Sequence, residues 1–122
     1  MFRLAYDRRH KILLAQVSGV FGSSDVAALE NAVARFSARH GPAHGLMDFT
    51  SVSAVAVPIG RLVQQAAPTV NGAGYRRVVV IANSELLELA RTAVREPAIA
   101  GSMAEALRQL GAVSPSFEPV EP

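Results

Sequence analysis

The chain is 122 residues long, half of them hydrophobic and 18% charged, a balance that excludes a disordered tail protein and suits one folded domain. It contains no cysteine, which excludes disulfides, thiolate nucleophiles and cysteine metal sites together and fits the reducing cytoplasm expected as its location. Twelve Lys and Arg against ten Asp and Glu give a formal charge of +2, too small an excess to predict a nucleic-acid partner, and no apolar run approaches the ~20 residues of a membrane span.

The opening stretch lacks the apolar core of a signal peptide. Phe2, Leu4 and Tyr6 alternate with Arg3, Ala5 and Asp7, the period of a half-buried strand. A basic run, Arg8 to Lys11, separates it from a second apolar segment, Ile12 to Gly19, and the two read as a hairpin whose turn type is left open. Gly22, Ser23 and Ser24 break the pattern, and the two serines offer hydroxyl caps to a helix. Val26, Leu29, Val33 and Phe36 form its apolar stripe, and Gly41 with Pro42 ends it.

Gly45 to Val52 is nearly continuous in apolar residues, as in a strand covered on both faces. Pro58 suits the first turn of a second helix, with Ile59, Leu62, Val63, Ala66 and Val70 as its stripe. Tyr75 to Asn83 contains Val78, Val79, Val80 and Ile81, a β-branched run that belongs at a sheet centre. Ser84 starts a third helix that Pro97 halts, and Pro97 to Gly101 offers a short extra strand. Ser102 and Glu105 match a capping box at the start of a fourth helix, which Gly111 ends. Residues 112–122, with three prolines, are expected to form a loosely ordered tail.

The order is β-β-α-β-α-β-α-(β)-α. It predicts an α/β fold: a mixed four- to five-stranded sheet opening with a hairpin, about four helices packed on it, and one domain over residues 1–111. At Asp48-Phe49-Thr50 with Val52, and again at Glu105-Ala106-Leu107 with Leu110, the chain resembles the STAS domains, in particular the SpoIIAA-like branch, whose fold is related to that of CRAL-TRIO lipid-binding domains. The resemblance implies a regulatory module that binds a protein partner. In STAS antagonists an Asp-Ser pair before the second helix is phosphorylated by a partner kinase. Counting from Asp48, those positions hold Ala56 and Val57, neither of which has an oxygen nucleophile.

The candidate partner surface is therefore the junction of Asp48, Thr50, Ser51, Ser53, Val57 and Pro58. Ser53, Ser51 and Thr50 are candidate phosphorylation sites near the positive end of the second helix, and the plainer reading is that they bond the backbone at a turn. Asp48 is read first as structural, second as part of a docking surface, since a lone buried carboxylate is costly.

Other chemical readings are weaker. His40 and His44 have the spacing of a helical metal pair, but Gly41, Pro42 and Gly45 oppose a helix there and a solvated loop is expected. His44 with Asp48 would offer a base and an orienting carboxylate without a nucleophile. Asn71 to Gly74 follows a helix instead of opening one, so it is not a dinucleotide fingerprint. Arg76, Arg77 and the basic turn lack interleaved aromatics. No catalytic, metal or cofactor site is predicted. The alternative function is a small apolar-ligand or lipid carrier, with a pocket between the alanine-rich helices and the sheet; self-association into a homodimer is compatible with either.

Overall fold

A computed structural model of the chain describes residues 2–55, 76–82, 87–88 and 98–120. Within them the elements are β1 (Phe2–Asp7), β2 (Ile12–Phe21), α1 (Ser23–His40), β3 (His44–Val55), β4 (Arg77–Val80), β5 (Ala98–Ala100), α2 (Met103–Gln109) and β6 (Glu118–Val120). The strands form one mixed sheet in the order β5-β4-β3-β2-β1-β6. β1 pairs antiparallel with β2 as the expected hairpin, and β2, β3, β4 and β5 run parallel.

β2 shows why the central strands read as continuous apolar runs. Ile12 and Leu14 face one layer and Leu13, Ala15 and Val17 the other, and all five are buried. α1 covers the second of these faces with Val26, Leu29, Val33 and Phe36, the stripe read from the sequence. Burying each such side chain stabilises the fold by about 1.5–3 kcal/mol. Phe36 also meets Tyr6 edge-on at 4.8 Å between ring centroids. α2 lies on the opposite face and buries Ala106 among Leu46, Val78, Val80 and Ala100.

The helix ends follow local chemistry. Gly22, and neither of the following serines, is the N-cap of α1, and its backbone N–H donates to the Asp25 carboxylate at 3.1 Å. Glu105 N–H donates to Ser102 Oγ at 3.1 Å at the start of α2, but the Glu105 carboxylate reaches back one residue further than a capping box requires and accepts from Gly101 N–H at 2.9 Å. At its C-terminus Gly111 N–H donates to Arg108 O and Ala112 N–H to Leu107 O, the two bonds of a Schellman motif, with Gly111 at φ 69°.

Two expectations change. The described sheet has six strands, not four or five, and the sixth comes from the supposedly loose tail. β6 pairs antiparallel with β1, Leu4 opposite Val120 and Tyr6 opposite Glu118. Phe117 and Ala112 pack against the α2 layer and Val120 against the α1 layer, so the tail closes an edge that β1 would otherwise expose. Of the four expected helices, α1 and α2 are described; the helices expected after Pro58 and Ser84 lie outside the described residues, apart from the helical pair Leu87–Glu88.

Candidate functional site

The stretch after Asp48 is built by a mismatch of strand lengths. β4 ends at Val80, which pairs with Asp48, whereas β2 and β3 continue together as far as Phe21 and Val55. Beyond Asp48, β3 is therefore paired on one side only among the described residues. The extension is irregular. β2 advances from Gln16 to Ser18 while β3 advances from Asp48 to Ser51, and β3 again gains a residue between Val52 and Ala54, where β2 has Gly19 at φ +73°. These are bulges, which bend a strand and leave an N–H without a ladder partner.

Asp48 supplies that partner. Its Oδ1 accepts from the Thr50 N–H at 2.9 Å, within the first bulge, while only 7% of the residue is exposed. The structural reading of Asp48 thus has a definite content: its carboxylate satisfies the backbone where the strand departs from regular pairing. The other oxygen, Oδ2, has no partner among the described residues. A shallow polar cleft of about 200 Å³ is lined by Arg3, Gln16, Val17, Ser18, Asp48 and Ser51. Arg3, Gln16 and Asp48 are successive register partners across β1, β2 and β3, so the row follows from the pairing itself.

Thr50 and Ser51 are exposed on the extension, and Ser53 is the surplus residue of the second bulge. Val57 and Pro58 lie outside the described residues, as do Ala56 and the apolar pocket expected between helices. The cleft that is described is polar and lends no support to an apolar ligand.

The histidine readings are corrected. His40 ends α1 and stacks on Phe36 at 4.5 Å, whereas His44 opens β3, so the pair does not share a helix or a solvated loop. No group of three metal-ligating side chains exists among the described residues. His44 and Asp48 are four residues apart on one strand, which places them about 13 Å from each other and removes the acid–base dyad. The His44 ring is instead tied down: Arg76 N–H donates to its Nδ1 at 3.0 Å, and the Arg76 guanidinium reaches the Gln109 carbonyl at 3.0 Å. Burial, followed by the positive charge of Arg76, holds the His44 pKa below its ordinary value.

Asp7 was missed by sequence reasoning, which placed it on the polar side of β1. It is 1% exposed and organises the hairpin turn. Oδ1 accepts from the N–H groups of Arg9 and His10 at 2.9 and 3.2 Å, and Oδ2 meets His10 Nδ1 at 2.8 Å. Val113 N–H donates to His10 Nε2 at 3.3 Å, which assigns the ring proton to Nδ1 and ties the turn to the tail. Burial would raise the Asp7 pKa, but the hydrogen bonds from His10 and Arg9 outweigh it and hold the carboxyl below its usual value. The one sequence signal was an acid placed directly before a tight basic turn, a position where Asp commonly accepts from the backbone.

No family model matches the chain, and no curated protein matches its sequence. Its fold is similar to the solved structure of the anti-sigma factor antagonist SpoIIAA in its unphosphorylated form. The TM-score is 0.61 at 11% identity, and the match covers 93% of this chain and 100% of that one. The mixed sheet with its opening hairpin and helical layers is therefore a STAS fold of the SpoIIAA kind, as the resemblance implied. No described helix is long and apolar enough to cross a membrane.

Proposed function

We propose that this chain, with its SpoIIAA-like fold, is a non-catalytic regulatory module that binds a protein partner through the β3 extension and the junction that follows it. The observation that carries this reading is the overrun of β2 and β3 beyond Val80, which leaves β3 paired on one side only among the described residues, with Thr50 and Ser51 exposed. A strand with a free edge offers backbone groups to a partner, and its bulges prevent indiscriminate edge-to-edge pairing. Asp48 fixes the first bulge and Ser53 lies in the second, and the proposed surface includes Val57 and Pro58, which follow in sequence. The usual phosphoacceptor position is Val57, so any switching by phosphate falls to Ser53, Ser51 or Thr50.

The test is site-specific photocrosslinking in extract of the native host. A benzophenone side chain in place of Ser51 is expected to give a discrete adduct that Thr50→Lys abolishes. The same probe in place of Arg35, exposed on α1, is expected to give none. Equal adducts from both positions, or none from Ser51, defeat the assignment. Intact-mass analysis of the protein isolated from that host reads phosphorylation separately, with tandem fragmentation to place it.

A further inference from the structure

The opposite end of the sheet has a pronounced charge bias. Lys11 O accepts from His44 N–H at 2.7 Å and Arg76 O from Gly45 N–H at 2.9 Å, so Lys11, His44 and Arg76 occupy neighbouring positions across β2, β3 and β4. The turn adds Arg8 and Arg9 beyond Lys11, and Arg77 opens β4. α1 and α2 both end here, α1 with Arg39 and α2 with Arg108 in the last turn. Seven of the chain's twelve Lys and Arg residues thus gather at one end, and six of the seven are exposed. Among the described residues, the acids near this end are Asp7, buried and bonded to His10, and the exposed Glu118.

Helix polarity accounts for part of this. Arg39 and Arg108 complement the negative ends of α1 and α2, and Arg76 bonds the terminal carbonyl of α2. It does not account for Arg8, Arg9, Lys11 or Arg77, which belong to strands and a turn and have no acidic partner among the described residues.

We propose that this end, centred on Arg8, Arg9, Lys11 and Arg77, is a second docking surface, and that its occupant is a carboxylate-rich polypeptide segment. From the turn to β4 the strip spans about three strand spacings, or about 14 Å, the length of four to five extended residues. Guanidinium groups at that spacing suit carboxylates, which they bind in bidentate fashion. A nucleic acid fits less well. Among the described residues the strip offers no Tyr, Phe or Trp on which a base would stack, and its length falls short of a duplex footprint.

The test is fluorescence anisotropy of a labelled oligoglutamate peptide, about ten residues long to overhang the strip, titrated with the full chain. Binding is expected to weaken as salt shortens the screening length. Arg8→Gln/Arg9→Gln is expected to weaken it roughly five- to ten-fold, the scale of two exposed ion pairs. Arg35→Glu lowers the net charge by the same two units elsewhere and is expected to change it less than about two-fold. Equal losses in the two variants, binding indifferent to salt, or no binding at all overturn the proposal. So does tighter binding of a single- or double-stranded oligonucleotide of matched charge, which would make phosphate the ligand.

Discussion

Replacing Asp7 by Ala removes one buried carboxylate and all three of its hydrogen bonds at once. The Arg9 side chain is exposed, so water can reach part of the opened turn; the His10 N–H and ring are more enclosed. A hydrogen bond to a charged acceptor contributes about 1.5–3 kcal/mol and a neutral one about 0.5–1.5. With partial rescue by water, Asp7→Ala should cost about 2–4 kcal/mol. That is a large share of the roughly 5–15 kcal/mol that holds a domain folded. Asp7→Asn keeps an acceptor for the two backbone donors and should lose about half as much. The sign of the pH dependence follows from the depressed carboxyl. Its contribution is fully present above the ordinary value of 3.8 and is lost as the pH falls through the lower folded value. Urea denaturation followed by circular dichroism at pH 7 and below pH 3.8 reads both effects. A deficit under about 0.5 kcal/mol at pH 7, or one undiminished in acid, refutes the account of the turn.

Removing residues 112–122 should lower the melting temperature and promote association, because it opens the β1 edge and uncovers the layer under Phe117; a truncation without effect in calorimetry and light scattering would mean that β6 contributes nothing. Gly111→Ala should cost about 1–2 kcal/mol in urea, the penalty of a side chain in a left-handed conformation, because a Cβ there meets nothing within 4 Å and strain is the whole effect. Asp48→Ala should cost about 1–2 kcal/mol and speed hydrogen exchange of the Thr50 amide selectively, read by NMR. His44 carries a lowered pKa, so its contribution is complete above 6.5 and declines as the pH falls through the folded value; stability against pH below 6.5 should be flatter in His44→Gln.

What the sequence revealed was whatever depends on local pattern. The alternation of Phe2, Leu4 and Tyr6, the stripe from Val26 to Phe36 and the β-branched run at Val78–Ile81 each encode an element whose burial follows from its own periodicity. Gly111 was legible because a left-handed position has few occupants. Asp7 was a local miss, because its bonds to Arg9 and His10 depend on how the turn closes; most of the others are properties of pairing between distant segments. Glu118-Pro119-Val120 is too short and polar to read as a strand and becomes one only against β1. The bulges of β3 exist only relative to β2, so the role of Asp48 at Thr50 could be framed as a need for a partner but not located. His40 and His44 were compared by spacing, which lost its meaning once the chain changed element between them. At the candidate surface, the hydroxyls were legible and the strand overrun that displays Thr50 and Ser51 was not.

The pairing of Leu4 with Val120 joins nearly the first and nearly the last described residues. Chains emerge from the ribosome N-terminus first, so β1 and β2 can fold against each other while the strand that shields β1 is still unmade. Until β6 has been made the nascent sheet carries a bare margin, and neighbouring polypeptides on the same message carry the same one. The sheet is sealed only after more than a hundred further residues have been added, which makes the codons of β6 a safeguard for those of β1.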